Sequence, residues 1–358
     1  MKNYRSLRRE LPQSFFKPDS KRLFMMLALW LCAIASITLV VGAGFPWYTD
    51  LLLALVVGHC WGVSGLIAHE LMHGAIVKKR VTQNILSFIA FLPFIISPTF
   101  WRYWHNNLHH SHTQRPIIDP DAFPHMKLFK QSKYAKWMYP FTPGSGSKRS
   151  SIYLFTWFFV TTQRNQFYLR FRNNTYEGIN HKKVNFELAL AISIHVIFLA
   201  VVGYQNWVWL YVIPFLIQNY IPFSYISTNH TLSPLTKVND PLENSLTVTN
   251  HPIIEFLHIN FGYHVEHHLF PTMSHSHHKK LHKILKEKFP DNYNFMPKSR
   301  ALKLLYSTPR IYKNNKTLIH PINGSTAGTL GHPLDENISE SILTQKPLGT
   351  FAETPTSS

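Results

Sequence analysis

Apolar residues in this chain fall in blocks rather than at even spacing, and four blocks have the length of membrane helices. Residues 23–42 form a run of about 20 apolar positions, enough for one crossing. A short turn at residues 43–46 follows, Trp47 and Tyr48 take interfacial positions, and residues 48–68 return. Residues 187–204 and 207–228 form a second apolar hairpin around Gln205 and Asn206, with Pro214 and Pro222 expected to kink its second arm. Neither far turn carries Lys or Arg, whereas Lys78, Lys79 and Arg80 follow the second run, so the near side is expected to be cytoplasmic. Residues 85–100 are apolar but broken by Pro93 and Pro98, which predicts a segment that dips into the bilayer and returns.

Three further features fill out the pattern. Residues 152–160 are apolar, too short to span and flanked by cations, which fits an interfacial helix or a packed helix of a cap. Residues 279–289 read as an amphipathic helix. The expected fold is therefore an all-α integral membrane protein: four transmembrane helices in two hairpins carry a cytoplasmic, histidine-rich helical cap that holds a di-metal site.

The candidate chemistry lies just beyond the ends of these runs. His69 and His73 close the second; His105, His109 and His110 follow the dipping segment, with His112 two residues on; His264, His267 and His268 stand at i, i+3 and i+4. Eight imidazoles exceed the four to six ligands of one ion, which points to two metals in nearly pure nitrogen coordination. Helical spacing places His105 and His109 on one face, with His110 about 100° away and aimed at the neighbouring metal. Single histidines of this kind are commonly surface or core residues; three clusters on one side of a membrane argue for ligands.

His69-x-x-x-His73, His105-x-x-x-His109-His110 and His264-x-x-His267-His268 resemble the three histidine boxes of the integral-membrane fatty acid desaturase superfamily, over roughly residues 47–285. Asp119 and Asp121 resemble the acidic pair that follows the second box in that superfamily, and a turn fits them equally. His230, before the third box, resembles an extra ligand present in some members. Glu70 and Glu266 are expected to orient the outward N–H groups of ligand rings, and Asn229 to act there through water. His275, His277, His278 and His282 are expected to be solvated or lipid-facing, and His195 to be a hydrogen-bonded structural residue.

Composition narrows the partners. The chain has 358 residues, 45% hydrophobic and 14% aromatic, with a net charge of +18. Its near-zero mean hydropathy averages apolar spans with basic loops. The cations flank apolar runs and no zinc-finger or RNP signature accompanies them, so a membrane surface is expected and nucleic acid is not. Cys32 and Cys60 both lie in apolar runs, which excludes a disulfide framework. Residues 1–22 read as a basic cytoplasmic N-terminal segment, 23–312 as the membrane domain and 313–358 as a polar, disordered tail.

The resemblance implies an O2-dependent desaturase with two iron ions (Fe2+/Fe3+), placing a double bond in a long acyl chain of a lipid or acyl thioester. Hydrogen removal from an unactivated CH2 exceeds what acid–base catalysis can do, which calls for iron and O2. Phe100, Trp101, Tyr103, Trp104, Phe261, Tyr263 and Phe270 are candidates for lining the substrate tunnel or for an interfacial belt. Electrons would come from an external donor, a ferredoxin or a b-type cytochrome, drawn to the basic face. A bacterial inner membrane is the expected location. The boxes leave a di-iron hydroxylase or carotenoid ketolase open, and beside these a non-catalytic metal-binding membrane protein.

Overall fold

Among the residues described by the computed structural model, 4–332, three helices are long and apolar enough to cross a membrane: Lys21–Gly42, Trp47–Met72 and His181–Val202. The most apolar stretch of Trp47–Met72 is 61% buried, against 22% in each of the other two, so Trp47–Met72 is the central helix. The outer two present Phe24, Leu27, Leu31, Val196, Ile197 and Val201 outward, an apolar surface that suits lipid.

The expected fourth run begins as a wide π-helical turn, Val208–Val212, and continues as the helix Ile213–His230. It is not among the three most apolar helices, because Gln218, Asn219, Ser224, Ser227, Thr228 and Asn229 are buried along it. Instead it lies against the central helix. A Cβ at Gly58 would stand 2.7 Å from Ile217 Cβ and 2.9 Å from Pro214 Cα, so only glycine permits this approach. One turn on, Gly62 faces Gln218 and Ile221, so the two helices run parallel and end together, at Met72 and His230.

Between them comes a bent pair, Arg80–Phe94 and Pro98–His112, which meet at 101°. The chain reverses at Ile95, whose φ of 53° is left-handed and uncommon for a β-branched residue. A broken backbone here needs partners for its carbonyls. His195 Nε2 reaches Leu92 O (2.8 Å), Gln218 Nε2 donates to Pro93 O (2.8 Å), Gln163 to Phe94 O (3.0 Å) and Gln166 to Ile95 O (2.6 Å). Glu187 caps the second arm, accepting from Thr99 N (3.0 Å), Thr99 Oγ1 (2.8 Å) and Ser97 Oγ. Its carboxylate there also complements the positive end of the helix. His195 is thus the hydrogen-bonded structural residue expected.

The remaining segments close over the helix ends. The short helix His264–Leu269 and the longer His275–Lys288 pack with Leu7, Leu11 and Phe15, so the N-terminal segment is folded onto the third box rather than lying free. Thr247–Thr249 pairs in parallel with Phe295–Pro297. The strands Ile311–Tyr312, Thr317–Ile319 and Thr326–Gly328 form an antiparallel sheet. Part of the expected disordered tail is therefore ordered through residue 332; the rest, 333–358, lies outside the described residues. The reason is burial: Tyr312 and Leu318 pack with Leu235, and Leu330 N donates to Leu232 O (2.9 Å).

Candidate metal centre

The two parallel helices, the bent pair and His264–Leu269 all end at one buried place, and nine histidines meet there in two groups. His69, His73, His105, His110 and His267 form one; His109, His230, His264 and His268 form the other. Within the first, Nε2 atoms of His105 and His69 are 2.8 Å apart, His110 and His105 3.0 Å, and His267 and His110 3.1 Å. In the second, His109 and His230 are 3.2 Å apart, His230 and His264 2.7 Å, and His268 and His264 3.1 Å. The groups abut where the His110 and His268 rings stack at 4.2 Å.

This partition differs from the helical-wheel expectation at the second box. His105 pairs with His110, and His109 turns to the other group. The cause is local: residues Arg102–His109 form a π-helix, and His110 N bonds to His105 O. A five-residue repeat brings i and i+5 to one face. His112 stays outside, held to Leu108 O at 3.2 Å.

The donor set fits a metal. Two imidazole nitrogens sharing an ion at about 2.1 Å stand about 3 Å apart when they subtend a right angle, close to the spacings above. His73 Nε2 is buried without a hydrogen-bond partner. Burial, and then the Arg102 charge, lowers the His73 pKa to about 3. Burial and neighbouring imidazoles hold His264, His267 and His268 well below the ordinary histidine range. Neutral imidazole is the form that ligates metal.

Outward-facing ring nitrogens of the four-histidine group have partners that fix the tautomer. His109 Nδ1 reaches Asp119 Oδ1 at 2.9 Å and Asp121 Oδ2 at 3.4 Å. His230 Nδ1 reaches Asn244 O (3.3 Å), and His268 Nδ1 lies 3.4 Å from Thr113 Oγ1. The Asn229 amide, turned so that its nitrogen donates to Tyr225 O and Leu246 O, accepts from His264 Nδ1 at 3.2 Å without an intervening water.

The two box glutamates hydrogen-bond elsewhere. Glu70 accepts from Ser274 Oγ (2.7 Å) and His275 N (2.9 Å), anchoring the start of the His275–Lys288 helix. Glu266 accepts from Thr247 Oγ1 (2.6 Å) and from Tyr293. Adjacent residues on a helix are rotated by about 100°, so each glutamate beside a ligand turns away from the centre into the packing around it. Thr113 follows the second box by three residues and Asn244 lies twenty residues before the third, and neither carries a motif that would reveal it.

His275 and His278 also differ from expectation. Both are fully buried, because the first turn of their helix is pressed against Glu70 and the third box, whereas His277 and His282 stay partly exposed.

A narrow apolar cavity leads away from the histidines. Of the expected aromatics, Trp101, Trp104 and Phe261 line it, joined by Phe91, Phe94, Phe158 and Phe223. Tyr103 and Tyr263 are instead hydrogen-bonded to Thr175 O and Glu255, and Phe270 packs on Phe16. Asp121, Thr161, Phe223 and Ile226 are shared with a second, wider pocket that opens past Tyr134 and Arg164.

A family model described as fatty acid desaturase matches residues 45–299. The chloroplastic omega-6 fatty acid desaturase of Spinacia oleracea is 23% identical over 292 residues, 75% of this chain and 60% of the relative, so the chain spans less than two thirds of that relative's length. With a match that covers most of its length and takes in all three histidine clusters, the chain belongs to the fatty acid desaturase family.

Proposed function

We propose that this protein is an O2-dependent di-iron desaturase that introduces a double bond into a long acyl chain, carried by a membrane lipid or an acyl thioester. The observation that carries the reading is the convergence of nine histidines, as two nitrogen clusters, at the inner end of an apolar cavity. Two bound iron ions would supply the oxygen chemistry that an unactivated C–H bond requires.

The chain's own residues hold, orient and exclude. His69, His73, His105, His110 and His267 hold one ion and His109, His230, His264 and His268 the other. Asp119 and Asp121 keep the His109 Nδ1 proton outward, so Nε2 faces the ion. Trp101, Phe158 and Phe223 hold an acyl chain against the centre and keep water out. Two hydrogens from neighbouring carbons, with O2, two electrons and two protons, leave as two waters and a double bond.

The long helices, with Ile213–His230 as the fourth crossing and the bent pair as a re-entrant element, anchor this centre at the cytoplasmic face of a bacterial inner membrane. Support comes from the cations of the site side, including Lys78, Lys79 and Arg80, and their lack in the far turns. Residues 23–312 form the catalytic unit, and 1–22 a basic segment on the same side. An acidic ferredoxin or a b-type cytochrome would deliver electrons to that face.

The test is the acyl-chain profile, by mass spectrometry, of aerobic cells expressing the protein beside a His267→Ala control. New double bonds absent from the control are expected. Hydroxylated or keto products would move the protein to the other oxidations of this superfamily, and equal activity in the control would remove the ligand assignment.

A further inference from the structure

Beyond the two clusters stands a third. His267, His275 and His278 each offer a ring nitrogen within 4.8 Å of the others, and all three are buried. The His275 and His278 rings lie 4.5 Å apart, and His267 lies 5.3 Å from His275.

These rings are short of partners. Both nitrogens of His275 and Nδ1 of His267 are buried with no hydrogen bond. His278 is buried beside them, with the backbone of Met273 and Tyr263 as its hydrogen-bonding neighbours. Every neutral imidazole carries one N–H donor and one lone pair, and leaving such groups buried and unmet opposes folding. A site built at that cost calls for an occupant. Histidine nitrogens converging from one helix turn and one box, with no carboxylate among them, suit a zinc-type divalent ion with an open fourth position.

We propose that His267 Nδ1, His275 and His278 form a third metal site, which takes one zinc-type divalent ion and shares His267 with the five-histidine cluster. His267 Nε2 lies 3.1 Å from His110 Nε2, so Nδ1 is the nitrogen left for the new ion. Binding through both nitrogens makes His267 a bridge and releases its ring proton to solvent. Ligand nitrogens around one ion stand about 3–3.4 Å apart, so small ring rotations close the set. The nearby Arg22 is paired with Glu70 (3.6 Å), which in turn holds His275 N, so the flanking charge is balanced. The proposal rests on the two-iron reading only for the role of His267 Nε2.

The experiment loads purified protein with iron without oxygen, adds Zn2+, removes loose metal with a weak chelator, and counts iron and zinc per chain. One zinc with an unchanged iron count is expected, and zinc-edge X-ray absorption should show imidazole nitrogens at about 2.0–2.1 Å. The double variant His275→Gln with His278→Gln should bind zinc at least tenfold more weakly while keeping its iron. Zinc that enters only by displacing iron, zinc held equally by the double variant, or none held by the wild type would each overturn the site. An iron count of zero would instead defeat the two-iron reading, and the comparison of zinc between wild type and double variant would still decide this one.

Discussion

His105 and His110 face each other across 3.0 Å, five residues apart, while His109 between them in sequence turns to His230 at 3.2 Å. One extra residue in the turn thus divides the second box between two metal clusters. Deleting Asn107 should convert the π-turn to an ordinary helix, keep every histidine and still cost most of the bound metal. Metal content of the purified deletion variant is the check, and full retention would remove the π-turn from the explanation.

Asp119 holds the His109 ring from behind. Asp119→Asn should weaken metal binding at the four-histidine cluster about 10–100-fold, whereas Asp121→Asn, at 3.4 Å and partly exposed, should do less. Chelator competition, read as metal retained per chain, separates the two. An equal loss in both variants would mean that charge alone, rather than the short hydrogen bond, sets the affinity.

Glu187 is a structural key far from the ligands. It takes three hydrogen bonds at the start of the arm that carries the second box. Glu187→Ala should lower stability by about 1–3 kcal/mol, since three donors lose a buried acceptor. Thermal unfolding in detergent would show this, and a wild-type midpoint would contradict it.

Acid should destabilise the metal-free protein. His264, His267 and His268 stay neutral when folded and titrate near 6.5 when unfolded, so the unfolded state binds more protons below that pH. Stability is then complete above about pH 6.5 and falls as pH drops, by up to about 1.4 kcal/mol per unit for each group. Unfolding midpoints of chelator-treated protein between pH 7.5 and 5.5 should decline. A flat profile would show that these rings titrate in the folded protein as they do in the unfolded chain.

The sequence alone named most of the clustered histidines. Apolar runs near membrane length set the long helices, and helical spacing was enough to mark His69 with His73 as a pair, whereas the three histidines of the third box, one face by spacing, divide between the clusters with His267 apart from His264 and His268. Resemblance marked His230, which ends its helix beside the four-histidine cluster.

Tertiary structure decided the rest. Periodicity assumes regular geometry: it separated His109 from His110, but the π-turn that pairs His105 with His110 rather than with His109 had no sequence signature. Burial of His275 and His278 depends on Glu70, two hundred residues away in the chain, taking Ser274 and His275 as partners. The meaning of the polar residues buried along Ile213–His230 came only with Gln218 and Asn229 reaching Pro93 O and His264. Local spacing names the donors, but which donors share an ion is fixed by contacts between distant segments, where each buried polar group must find its partner.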